Sequence, residues 1–105
     1  MAEKIENKTG WYEDIDGWYL FNKGRLLADF CLTEHSNPVK MMYNIQIMDE
    51  WCKEIEFPYG YGNVDRAKAM IEDMIIGYCS DKINELYRIR YNVVKVAGER
   101  MNNND

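Results

Sequence analysis

The sequence predicts an α+β fold: a three- or four-stranded antiparallel β-meander packed against one or two C-terminal helices. Two observations carry this reading. Up to residue 57, apolar residues alternate with polar ones in short segments split by turn signals, as in half-buried strands. After Asn63 the apolar spacing lengthens to three and four residues, the mark of an amphipathic helix. With 105 residues, 47% of them hydrophobic and 30% charged, the chain fits a single domain, 1–105. The sheet is expected over about 10–57 and the helices over about 63–97, with residues 1–9 and 99–105 as flexible tails.

The first element starts in GWYEDIDGWY, residues 10–19, which reads Gly-Trp-Tyr twice. The residues around the two copies differ, so this is no structural repeat. Each glycine is expected to precede a β-rich segment, with Glu13–Asp16 looping between. Strand pairing then decides whether Trp18 or Tyr19 faces the core. Asn22-Lys23-Gly24 is a tight-turn signal, because Gly24 can take positive φ in a bulged hairpin loop.

In RLLADFCLT, residues 25–33, Leu26, Ala28, Phe30 and Leu32 share a face opposite Arg25, Asp29 and Thr33. Asn37-Pro38 punctuates the next turn. In the following segment Tyr43, Ile45 and Ile47 oppose Met42, Asn44, Gln46 and Met48. Asp49-Glu50 turns the chain into a last strand, where Trp51, Ile55 and Phe57 oppose Cys52, Glu54 and Glu56. Short strands on tight turns make an antiparallel meander the economical topology. PYGYG, residues 58–62, ends the sheet, since proline and glycine do not continue a central strand.

Asn63 is a suitable N-cap, and Asp65 sits in the first helical turn, where the dipole favours a carboxylate. Val64, Ala67, Ile71, Met74, Ile75 and Tyr78 form one apolar face. Gly77 and Ser80 interrupt it. A glycine costs about 1 kcal/mol against alanine in a helix interior, so two helices, or one kinked helix, are expected, with a single helix from 63 to 97 as the competing reading. Ser80 would cap the second, whose stripe is Ile83, Leu86, Val93, Val96 and Ala97. Gly98 is expected to close it.

The net charge of −5 is unevenly spread. Residues 1–62 carry eleven Asp and Glu against six Lys and Arg; residues 63–105 carry seven of each. An acidic first half disfavours general nucleic-acid binding, which needs positive charge to release counterions. It suits a basic partner, including one that ordinarily holds nucleic acid. Cys31, Cys52 and Cys79 are an odd, widely spaced set, pointing to reduced thiols and a cytoplasmic setting. No apolar run is long enough to span a membrane.

His35 is the only histidine, and no nucleophile-elbow, phosphate-loop or zincin motif occurs, so no enzyme and no cofactor is expected. Cys31, His35, Cys52 and Cys79 are chemically adequate for zinc but wrongly spaced for a knuckle, and the plainer reading is cysteines that behave as small buried hydrophobes. Acidic and aromatic residues Asp49, Glu50, Glu54, Glu56, Tyr59 and Tyr61 form the candidate partner-binding set. Their plainer reading is a solvated face. Tyr87, Arg88, Arg90, Tyr91 and Lys95 form an alternative helical surface, with a composition used on RNA and at protein hot spots. Residues of these types also flank ordinary helix–sheet contacts.

In overall type (short, acidic, Asn/Lys/Ile/Met/Tyr-rich, a small sheet with helices and no catalytic motif) the chain resembles small accessory proteins of bacteriophages and mobile elements, including anti-CRISPR inhibitors, while no motif in GWYLFNKGRLLADF or YGYGNVDRAKAMIEDM assigns a particular family. That resemblance implies a non-enzymatic, protein-binding inhibitor of a host nucleic-acid-handling enzyme such as a CRISPR effector nuclease, acting by occupying a basic surface. It implies the host cytoplasm and a partner that is a nuclease or its nucleic-acid complex, with a homodimer compatible. The alternative is a small RNA- or DNA-contacting regulator working through the Arg/Tyr helix.

Overall fold

A computed structural model describes residues 8–33, 38–57 and 63–103. Five strands form one antiparallel sheet in the order β1-β2-β3-β4-β5: β1 Gly10–Asp14, β2 Gly17–Asn22, β3 Arg25–Leu32, β4 Lys40–Ile45 and β5 Glu50–Glu56. Each strand pairs with its sequence neighbour, so the sheet is a meander. One helix, α1 Val64–Asn103, follows. The fold class is α+β.

The sheet has one strand more than the upper expectation of four. The first Gly-Trp-Tyr and the next two residues pair with β2 along their whole length, from Gly10↔Phe21 to Asp14↔Gly17. Only Ile15 and Asp16 are left to turn, and the Asp14 carboxylate accepts the Ile15 N–H at 2.6 Å. The acidic text between the two copies therefore supplies strand as well as loop. Lys8 and Thr9, expected in a flexible tail, are tied to the β2–β3 turn. The Lys8 carbonyl accepts the Gly24 N–H and the Thr9 hydroxyl accepts the Lys23 N–H. That turn has two residues, Lys23 and Gly24, both at positive φ. This is the mirror-image turn whose twist matches a hairpin. The bulge lies farther along, where the register shifts between Leu20 and Phe21.

The two glycines of the duplicated motif do different things. A Cβ on Gly17 would lie 2.5 Å from the Phe30 carbonyl oxygen, whereas one on Gly10 would meet nothing within 4 Å. Pairing selects the tryptophans for the core side. Trp18 stacks on Phe30 at 5.0 Å between centroids, and Trp11 meets the same ring edge-on at 5.5 Å. The Trp11 indole N–H donates to Glu72 at 2.7 Å.

The core is Ala28 and Phe30 of β3, Met41, Tyr43 and Ile45 of β4, Phe57, and Ala67 and Ile71 of α1. Val64, Met70, Met74 and Ile75 pack partly against it. Two parity expectations fail. Gln46–Met48 is a 3-10 turn, so Met48 packs on the core while Ile47 points outward. The backbone passes through positive φ at Asp49, just before β5, and at Cys52 within it, and the register shifts opposite Tyr43 and Ile45. Trp51 is consequently 53% exposed and does not join Ile55 and Phe57 inside.

The helix runs unbroken through Gly77 and Gly98 to Asn103, where a break or kink and an earlier end were expected. Both glycines face open space. Each costs about 1 kcal/mol, which a helix nucleated elsewhere absorbs because propagation is cheaper than nucleation. By internal contacts the chain divides into two compact units, Met1–Ile75 and Ile76–Asp105.

Candidate protein-binding surfaces

Alternation that sends Phe30, Met41, Tyr43 and Ile45 into the core sends their neighbours to the other face. The register aligns them in rows. Tyr12, Tyr19, Asp29 and Asn44 form one row across β1 to β4. Cys31, Met42 and Glu54 form another across β3 to β5, and Lys40 is paired with Glu56 on the same face. Asn44 holds this face together. Its amide donates to the Asp29 carboxylate at 2.8 Å, and its carbonyl oxygen accepts the Cys52 N–H.

Asp16, Tyr19, Asp29, Cys31, Asn44 and Cys52 line a hollow of about 140 Å³. Small-molecule sites run to roughly 300–1,000 Å³, so this hollow suits an inserted side chain better than an organic ligand. The Tyr19 phenol is held above its ordinary range, first by burial and then by the negative charges of Asp16, Asp14 and Asp29. A negative field thus converges on the open face. Two lysines offset part of it: Lys40, 3.9 Å from Glu54 with both side chains exposed, and Lys8, whose ammonium lies 4.7 Å over the Tyr12 ring.

Of the sequence-predicted acidic set, Glu54 and Glu56 stand on this face. Asp49 and Glu50 are occupied within the chain. The Asp49 carboxylate accepts the Trp51 indole N–H at 2.7 Å, and Glu50 faces the Tyr43 hydroxyl at 3.4 Å. Burial, then the charge and hydrogen bond of Glu50, raise the Tyr43 phenol. Tyr59 and Tyr61 lie outside the described residues. Sequence reasoning missed Asp14, Asp16, Tyr19 and Asp29 as members of one surface. The alternation that placed Asp29 opposite Phe30 was the available signal, but joining it to Asp16 and Tyr19 required the strand register.

The helical candidates separate. Two residues apart on a helix is about 200° of rotation, so Arg88 and Arg90 cannot share a face. Tyr87, Arg88, Tyr91 and Asn92 line one groove, and Arg90 lines another with Ile83, Leu86 and Tyr87. Lys95 follows Tyr91 by four residues and Arg88 by seven, on their side of the helix.

Comparison of the chain with protein-family models, with curated proteins and with solved structures found no match in any of the three.

All three cysteines are free, with Cys31 and Cys79 half-buried and Cys52 exposed. Among the described residues no group of three or more His, Cys, Asp or Glu could hold a metal ion, and His35 lies outside them. Nor is any helix among those residues long and apolar enough to cross a membrane.

Proposed function

We propose that this protein is a non-enzymatic binding module that sets the acidic open face of its sheet against a basic surface of a protein partner. The observation that carries this is the gathering of Asp16, Tyr19 and Asp29 around one hollow, with Tyr19 paired to Asp29 across β2 and β3, on a face that also bears Glu54 and Glu56. Carboxylates fixed on one face of a sheet offer a basic groove negative charge of the kind a phosphate backbone supplies. A groove built for nucleic acid would accept them. The half-buried Tyr12, Tyr19 and exposed Met42 add apolar area between the charges, and the hollow at Asn44 accepts a protruding side chain. The reading fits an inhibitor of a nucleic-acid-handling enzyme, the role that phage-type accessory proteins fill.

Paired affinity capture tests it, with the wild type and an Asp16→Asn, Asp29→Asn, Glu54→Gln, Glu56→Gln variant as baits in a bacterial lysate. The wild type should retain a basic nucleic-acid-binding protein that added duplex DNA or salt displaces, and the variant should not. Retention unchanged in the variant but lost on replacing Arg88, Arg90 and Lys95 would sink the acidic-face reading. Direct, salt-sensitive binding of the wild type to bare DNA or RNA would point to the helix as a nucleic-acid reader instead.

A further inference from the structure

Residues 76–103 form the part of α1 that follows Ile75. Counted in sevens from Ile76, the positions alternately three and four apart are Ile76, Cys79, Ile83, Leu86, Arg90, Val93, Ala97 and Arg100. Six of these eight are apolar or weakly polar. The two flanking positions of each heptad add Tyr87, Val94 and Met101 on one side and Ile89 and Val96 on the other. The three remaining positions hold Gly77, Asn84, Tyr91 and Gly98, then Tyr78, Glu85, Asn92 and Glu99, then Asp81, Arg88, Lys95 and Asn102. Both glycines therefore fall on the polar side, with open space where a Cβ would be. This four-heptad pattern belongs to a helix buried along most of its circumference in a helical assembly.

Ile76, Ile83, Leu86 and Val93 are 53–62% exposed, and Met101 is 70% exposed. Monomeric proteins rarely leave a contiguous apolar patch of more than a few hundred Å² open to water.

We propose that this helix is covered by the same helix of further copies of the chain, two at minimum, packed antiparallel. Three physical points fix the occupant. A second copy necessarily matches the length and heptad phase of the first, and a two-fold pairing closes on itself. Side chains so large and so exposed over four heptads supply on the order of 1,000 Å² or more of buried surface from two chains, the area that a stable interface needs. Charge sets the direction. Residues 76–87 carry Asp81, Lys82 and Glu85, a net of −1, while residues 88–103 carry Arg88, Arg90, Lys95, Glu99 and Arg100, a net of +3. Antiparallel packing sets the negative end against the positive one and opposes the helix dipoles. Parallel packing would stack Arg100 on Arg100 at one end of the seam, like charges with little solvent.

Light scattering on the eluting full chain reads the mass. A multiple of 12.5 kDa, at least twofold, is expected from micromolar to hundreds of micromolar. A mass of 12.5 kDa throughout, with a helical circular-dichroism signal, overturns the proposal. Leu86→Lys with Val93→Lys should return the monomer, while tryptophan fluorescence keeps its folded spectrum. Asn92→Ser, on the polar side, should leave the mass unchanged. An unchanged mass in the Leu86/Val93 variant, or dissociation by Asn92→Ser, assigns the interface elsewhere and overturns it. Orientation is read from Cys79, which lies in the seam. In a Cys31→Ser, Cys52→Ser background, mild oxidation should give no covalent dimer, because antiparallel packing sets Cys79 near the far end of the partner helix. An efficient Cys79–Cys79 crosslink overturns the antiparallel arrangement. None of these readouts depends on the acidic sheet face or its partner.

Discussion

Two stretches of comparable apolar content end in opposite environments. In residues 8–75, Phe30, Met41, Ile45 and Ile71 are at most 2% exposed. They sit where β3, β4 and the start of α1 meet. In residues 76–103 the equally apolar Ile76, Ile83, Leu86 and Val93 remain more than half exposed. The difference lies in what the fold offers each stretch. A meander buries one face only because a helix lies along it, and the first three turns of α1 supply that cover. Beyond Ile75 the apolar periodicity continues with its large side chains exposed. Periodicity thus shows that a face is built for burial, but not which molecule covers it.

Replacing the ring at the centre of the sheet core probes the first environment most severely. Phe30→Ala removes the contact partner of both Trp11 and Trp18, and should cost about 3–5 kcal/mol. That is enough to threaten a domain of this size. Denaturant unfolding followed by tryptophan fluorescence measures it, and an unchanged midpoint would contradict the buried register of β3.

Gly17→Ala should cost about 2–4 kcal/mol, because the new Cβ collides with backbone at a φ of 154° and the strand must shift. Gly10→Ala, with open space around it, should cost only the conformational strain, about 1–2 kcal/mol. Equal losses at the two positions would mean that the duplicated motif is used symmetrically after all.

In the second environment the sign reverses. Gly98→Ala meets nothing within 4 Å and should gain about 1 kcal/mol of helix stability. Helicity by circular dichroism during thermal melting would show it. A loss would mean that Gly98 lies against a partner, on a side of the helix that the heptad phase assigns to solvent.

The smallest effect is in alkaline solution. A phenol whose pKa is raised by folding, as at Tyr43, contributes stability that is complete below the unfolded value near 10 and is lost as pH rises through the folded value. Unfolding free energy should therefore fall above about pH 10. Tyr43→Phe should flatten that decline and leave stability at pH 7 to 9 nearly unchanged. A decline equally steep in Tyr43→Phe would place the titrating group elsewhere, with Tyr19 the next phenol to replace.

Sequence alone determined the fold class, the core face of β3 through Ala28 and Phe30, and the first helical stripe through Ala67 and Ile71. These follow from local periodicity, since a strand repeats every two residues and a helix every 3.6. It also determined the charge imbalance between the halves, which is simple arithmetic. Tertiary structure decided everything that depends on register. Pairing with β2 made Gly10–Asp14 a strand, and left-handed backbone at Asp49 and Cys52 turned Trp51 outward. Cross-strand alignment gathered Tyr19, Asp29 and Asn44 into one row. It also decided that α1 runs unbroken through two glycines. The physical reason is common to these cases: a propensity acts on a few neighbouring residues at about 1 kcal/mol each, whereas pairing and packing couple residues far apart in the chain and override it.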